Sequence, residues 1–356
     1  AKLLFISLNT GTVTSVAVSG ADGLAGVSLV DVNNDDRANL GFAGDSNGNL
    51  WKFTFSTNPD TPLSTTVTAL YTAPDASQPI TTRPEVGVHP YGGYMVIFAT
   101  GSAHSLAEAQ SNSYPTQAIY GIWDSGPGAN IVTQTMSVAQ DAVFINGELS
   151  STETVRYINS FTQPDYLCEA DDYTCDIGWK VEFPVSGERA IGSPQLRSGR
   201  LMFVTSNPNG LATDTDGNPT LDLEGDSWLM SLHYLYGGDD NGEVVLNLNG
   251  DGDLDAEDKL DISETDTPSL KAPVGLWLAE GNISQPVVAT IAPGLDAIFI
   301  NGLRMPIPFD TVTDTPFLSG HIDVHTDSPS GGSIAPNSIK KHSEGYNITT
   351  NDGIGY

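Results

Sequence analysis

Apolar positions in this chain fall in short runs broken by turn residues, and the runs group in threes. Each group has a leading strand, a central strand that is apolar throughout, and a third strand carrying a large aromatic. The groups read SLVDV, LGFAG, LWKFTF; then PEVGVH, YMVIFATG, AIYGIWD; then SPQLRS, RLMFVTS, SWLMSLHYL. A partial fourth reads QPVVAT and DAIFING. Trp51, Trp123 and Trp228 fall at corresponding places in the three groups, and glycine or proline marks each joint. Helical periodicity is nearly absent; the exceptions are SAHSLAEAQ at 102–110 and one turn at DAEDKL. With 37 glycines and 22 prolines, the pattern predicts many short strands joined by turns, an all-β chain. A degenerate repeat of sheets with irregular insertions fits a β-propeller, partial or irregular and with long loop insertions, better than the alternative, a β-sandwich with accidental similarity.

Between the first two strands of the first group lies DVNNDDRAN. Asp31, Asn33, Asp35 and Asn39 stand at positions one, three, five and nine, with the carbonyl of Arg37 at seven, the spacing by which short oxygen-bearing side chains surround calcium. The spacing recurs at Asp214, Asp216, Asn218 and Asp222, and again at Asn247, Asn249, Asp251 and Asp255. The third match is the fullest: Gly252 takes position six, Asp253 seven, and Asp258 the twelfth, acidic position of an EF-type loop. Asp36 and Pro219 stand where the other two loops would want the turn glycine, so their remaining ligands must be carbonyls, water or neighbouring loops. Solvated Asp/Asn turns are the alternative reading. Ca2+ is the expected ion at all three.

The 44 acidic residues outnumber the 14 Lys and Arg, giving a formal charge of −30 that repels nucleic acid and anionic membrane surfaces. From Asn207 to Asp266 the one base is Lys259, so the charge concentrates where two of the loops lie. Cys168 and Cys175 are spaced to close a small disulfide loop in an oxidising compartment. Two free thiols are the alternative, and the polar, acid-flanked segment favours the bond. No apolar run is long enough for a membrane-spanning helix. The start lacks the regions of a signal peptide, so a mature chain, or one cut from something larger, is expected.

Catalysis finds little support. GDSNGNLW approaches the Asp-box of sialidases, but Ser46 stands where that box has Asp, and a quinoprotein enzyme would bring an adjacent cysteine pair. No nucleophile elbow, P-loop or zincin pattern is present. His321, Asp323 and His325 alternate on a possible strand face, where a polar face is the simpler reading than a transition metal. Glu188 and Arg189 are expected to form an ion pair joining two blades. The triplets at Asn282 and Asn347 fit glycosylation acceptors but carry no weight.

AGDSNGNLWKF after an Asp/Asn loop, FATG with QAIYGIWD, GWKVEFPVSGERAIGSPQLRSGRLMFVTSNP and SWLMSLHYLYGG, in this order over roughly 20–305, resemble the C-terminal β-propeller of PilY-type proteins. These are tip-associated adhesins of type IV pili. The resemblance implies calcium at Asp31, Asn33, Asp35, Arg37 (carbonyl) and Asn39. It also implies further blades before Ala1 and minor pilins or other pilus components as partners. A host or abiotic surface is the implied ligand, and the implied location is extracellular, at the pilus tip or outer cell surface after export through the periplasm. The expected organisation is a propeller over 1–305, an EF- or dockerin-like calcium loop inserted at 240–265, and an irregular tail over 306–356. The expected function is calcium-dependent adhesion and pilus assembly without enzymatic activity, a secreted sialidase-like glycosidase or quinoprotein-like enzyme being the alternative.

Overall fold

The computed structural model describes residues 1–56, 64–74, 76–103, 114–145, 148–167, 175–190, 192–197, 199–213, 219–238, 242, 244, 246, 255–262, 270–280, 287–292, 295–299, 337–342 and 345–350. Strands β1 (Lys2–Ile6) and β2 (Val13–Ala17) make a hairpin. Next, β3 (Ser28–Val30), β4 (Leu40–Gly44), β5 (Leu50–Phe55) and β6 (Thr65–Tyr71) form a four-stranded antiparallel sheet in that order. Then come β7 (Glu85–Val88), β8 (Tyr94–Ala99), β9 (Ala118–Trp123), a long ribbon of β10 (Asn130–Ile145) and β11 (Glu148–Ser160), and β12 (Asp176–Glu182). They are followed by β13 (Gln195–Arg197), β14 (Arg200–Thr213), β15 (Pro219–His233), a 3-10 turn at Ala256–Asp258, and the short pair β16 (Leu260–Asp261) and β17 (Leu270–Lys271). After β18 (Pro273–Glu280), β19 (Val287–Ala292) pairs with β20 (Leu295–Phe299), and β21 (Asn337–His342) with β22 (Gly345–Thr350). Thus the described part of 306–356, expected to be irregular, is a hairpin, and the helix expected at 102–110 falls mostly outside the described residues.

The predicted triplets are the strand sets β3–β4–β5, β7–β8–β9 and β13–β14–β15, each antiparallel. The first gains β6, the second β12 and the third β18 as a fourth strand. The β10–β11 ribbon then inserts between the last two, parallel to β12 on one side and antiparallel to β18 on the other. It fuses two blades into one ten-stranded sheet, ordered β13-β14-β15-β18-β11-β10-β12-β9-β8-β7.

Alternation explains how the blades stack. In β8, Met95, Ile97 and Ala99 face a core shared with Trp179, Leu201, Phe203 and Met230, whereas Val96 and Phe98 face one shared with Phe42, Leu50 and Ile80. A strand covered on both faces must be apolar at every position, which is why YMVIFA shows no polar alternation. The outer face of the first blade packs Phe53 and Phe55 with Leu3 and Phe5 of the β1–β2 hairpin; Phe5 meets Phe55 edge-on at 5.8 Å. Leu4 and Ile6, on the other face of that hairpin, are exposed. Successive sheets packed face to face in chain order are the blades of an all-β propeller.

One detail of the repeat differs from expectation. Trp51 pairs with Ala43, Trp123 with Met95 and Trp228 with Thr205, which are three different rungs of their ladders. Each central strand also carries a fully buried phenylalanine: Phe42, Phe98 and Phe203. Tryptophan goes where local space permits: Trp179 lies against Gly121 of β9, where an added Cβ would sit 2.5 Å from the indole.

Cations bind the blades to one another. Lys52 on β5 reaches Asp124, in the turn after β9, at 2.7 Å. Arg156 on β11 donates two hydrogen bonds to Glu188, of 2.5 and 2.8 Å, and lies 3.8 Å over the Trp228 ring, while Thr205 donates to the same carboxylate. Both charges are fully buried. Arg189 does not pair with Glu188 as expected. Its guanidinium donates to the carbonyls of Gly187 and Ser102 and lies over the Tyr114 ring. Consecutive residues on extended backbone point to opposite sides, so Glu188 and Arg189 brace different neighbours.

At one end of the ten-stranded sheet, three loops interlock through rings. His89 stacks on Trp123 at 4.1 Å and meets Tyr166 edge-on, and its Nδ1 accepts from the Tyr91 N–H. Burial pulls the His89 pKa down to about 4, although Asp124 works the other way.

Two outcomes follow from this packing. Arg156→Met leaves Glu188 buried without its partner and should cost roughly 3–5 kcal/mol in denaturant unfolding. Changing both residues to Met should cost less than that single change. His89 stays neutral in the fold and titrates near 6.5 when unfolded. Its contribution is therefore complete above pH 6.5 and is lost as pH falls through about 4, by at most about 1.4 kcal/mol per pH unit. His89→Phe should flatten that limb of a stability–pH curve.

Candidate metal centre

The loop between β3 and β4 folds around Asp31. Its carboxylate accepts the N–H groups of Asn33, Asp35 and Asp36 at 3.2, 3.3 and 2.8 Å. Asn34 and Asp36 adopt left-handed backbone, at φ 56° and 65°, and so curl the loop inward. Asp35 accepts the N–H of Arg37 and the side-chain amide of Asn33, and Asn39 closes the base by accepting the N–H of Val32 at 2.6 Å. Partial desolvation works to raise the Asp31 pKa, but donors from Asp35, Asp36, Asn33 and Asn34 outweigh it and hold the carboxyl below its ordinary value. The loop therefore brings together Asp31, Asn33 and Asp35 on an exposed surface, with the Asp31 carboxyl held below its ordinary pKa.

These residues fit a hard cation: two carboxylates and two amide oxygens from a short loop match calcium's preference for oxygen donors. Among the described residues no three His, Cys, Asp or Glu side chains converge, and this loop contributes only acid pairs and amides.

Of the third loop, 255–258 are described. Asp255 caps the 3-10 turn by accepting from Glu257 N, and the Asp258 carboxylate accepts from Asp255 N in return. Asp258 is fully buried. The last two expected ligands are thus held within hydrogen-bond reach of each other's backbone. Asn247, Asn249, Asp251 and Asp253 lie outside the described residues, as do Asp214, Asp216 and Asn218; Asp222 lies on β15, where the backbone alone is described. Cys175 is disulfide-bonded, and Cys168, the one other cysteine of the chain, is outside the described residues. His321, Asp323 and His325 lie outside them too.

Two residues that organise this region escaped the sequence reading. Asp45, fully buried, accepts from Asn47 N, Asn49 N, Asn49 Nδ2 and Trp51 Nε1 at 2.8–3.1 Å. It ties the hairpin after the loop to its tryptophan, so GDSNGNLW is a structural clasp with no free carboxylate. The Asp-Asn-Asn-Trp spacing was the available signal. Arg156 had none beyond being a lone base within β11.

The PilY1 beta-propeller domain family matches residues 1–145. The type IV pilus biogenesis factor PilY1 of Pseudomonas aeruginosa (strain PAK) is 32% identical over 226 residues, covering 52% of this chain and 19% of that protein. A PilY1 homolog of Xylella fastidiosa (strain Temecula1) is 28% identical over 249 residues, 65% of this chain and 15% of that protein. The chain thus spans a fifth or less of these curated relatives' lengths. The crystal structure of the Pseudomonas aeruginosa PilY1 C-terminal domain superposes with a TM-score of 0.66 at 25% identity, covering 85% of this chain and 64% of that one. No helix among the described residues is long and apolar enough to cross a membrane.

Asp45→Ala should leave the N–H groups of Asn47, Asn49 and Trp51 without their acceptor and cost about 1–3 kcal/mol. Trp51 emission should shift to the red, which fluorescence-monitored unfolding reports together with the stability change.

Proposed function

We propose, from the premise that this chain carries a PilY-type C-terminal β-propeller domain, that it is a binding module of a type IV pilus-associated protein and that Ca2+ at the Asp31–Asn39 loop sets its presented surface. The observation that carries the reading is the inward-curled loop, with the Asp31 carboxylate fixed by three backbone N–H groups and Asp35 tied to Asn33, placed directly before the first blade's central strand. Its partners would be minor pilins or other pilus components, and a host or abiotic surface would be its adhesion ligand. The relatives' names as pilus biogenesis factors support that direction. An outer-surface location follows from the same reading.

In this reading Asp31, Asn33, Asp35, Asn39 and the Arg37 carbonyl would hold the ion, and Asn247 to Asp258 a second. Asp214 to Asp222 would form a third at the β14–β15 turn. The bound ion supplies positive charge that cancels the repulsion among these acids. The chain's own part is to orient the oxygens: Asp31 through its backbone donors, Asn39 through Val32, and the β4–β5 clasp through Asp45. With the ion bound, the loop's position against β4 is fixed, an ordering step by which a metal changes a surface.

The test is calorimetric titration and melting. An ion that binds only the folded state stabilises it by about 2.7 kcal/mol per site at roughly 100 times its dissociation constant. Chelation should lower the melting temperature, and Asp31→Ala should remove calcium uptake at the first loop and leave Asp251→Ala to remove it at the third. Magnesium should substitute poorly, because its small octahedral shell suits flexible multi-oxygen loops badly. Identical melting curves with no calcium uptake would overturn the metal assignment.

A further inference from the structure

We propose that the aromatic face built from the β7–β8 turn, the loop after β11 and the end of β15 is a docking surface for a basic segment of a protein partner. It does not depend on the calcium reading, since the Asp31–Asn39 loop belongs to the other sheet. Tyr91 and Leu167 are 54% and 59% exposed, in loops held firmly by the rings behind them. They are neighbours through the rings beneath them. Tyr91 lies 5.7 Å from His89, His89 meets Tyr166 edge-on at 4.6 Å, and Leu167 follows Tyr166. The Tyr234 hydroxyl donates to the Val88 carbonyl at 2.9 Å, bringing β15 to the same place.

The backing is rigid. Trp123 Nε1 donates to Gly92 O at 2.6 Å, Tyr166 donates to Leu235 O, and buried Gln134 bridges Thr162 and the Tyr236 carbonyl. A partner would therefore meet Tyr91 packed on a backing already fixed in place, at low ordering cost.

Charge selects the partner. Asp165 is exposed beside Leu167, and its backbone is bonded to Asp176, whose carboxylate acts on Tyr166. Lys52, the base beside the β7–β8 turn, is already paired with Asp124, and the chain as a whole carries a formal charge of −30. A Lys or Arg would find a tyrosine ring and a carboxylate together, and the overall field would draw it in; an acidic partner would be repelled. Apolar residues next to that base would cover Leu167 and the Tyr91 ring.

The test uses fluorescence anisotropy with labelled nonapeptides of alternating Arg and Leu, of Ser and Leu, and of Glu and Leu. The full chain and a Tyr91→Ala/Leu167→Ser variant are compared with a Leu4→Ser/Ile6→Ser variant of unchanged charge. The Arg-Leu peptide should bind the wild type and lose about tenfold in affinity with the Tyr91/Leu167 variant alone. A benzophenone-bearing Arg-Leu peptide should cross-link to 88–91 or 165–167 of the wild type, which holds even where a variant folds poorly. Equal binding by both variants, cross-links elsewhere, tighter binding of the neutral peptide, or no binding to the wild type would each overturn the proposal.

Discussion

Excess negative charge is the constraint around which this molecule is built. With 44 acids and 14 bases, ion pairs are limited by cations, and the fold commits Lys52, Arg156 and Arg189 to the boundaries between blades. The Arg156–Glu188 pair matters most, because β11 enters the ten-stranded sheet only by being received between blades that close around it. A buried pair is not strong evidence of net stability, but breaking one half leaves a charge that the interior cannot solvate. Such a pair specifies one packing of the blades and penalises others.

Apolar stacking supplies the gross driving force, and it explains the order of the elements. The fully apolar β8 lies between two cores, whereas β1 buries only Leu3 and Phe5 and leaves Leu4 and Ile6 outside. Between these sheets the acids are displaced to loops. There backbone donors hold them, as the N–H groups of Asn33, Asp35 and Asp36 hold Asp31, the arrangement that the proposed cation site would use.

Much of this was legible in the sequence. The strand triplets were visible because burial on two faces leaves uninterrupted apolar runs, and the loop at Asp31 because oxygen spacing is local. The family resemblance held over 1–145, the stretch the family model matches, which contains AGDSNGNLWKF and QAIYGIWD. The three tryptophans pair at different rungs, Trp51 with Ala43, Trp123 with Met95 and Trp228 with Thr205, because the room for an indole is set by its neighbours in space and not by the repeat. The partner of Glu188 was invisible for a different reason. Arg156 lies 32 residues away, on a ribbon whose insertion between blades depends on long-range strand pairing that no local pattern encodes.

Loop, clasp and seam therefore form a hierarchy: cations inside the seams define the scaffold, and surface acids act upon it. Native-state hydrogen exchange on Arg156→Met tests this most directly. The account predicts that amides of β12, β18 and β14 lose protection together while those of β4 and β5 keep theirs. Loss confined to β11, or spread evenly over both sheets, would contradict it.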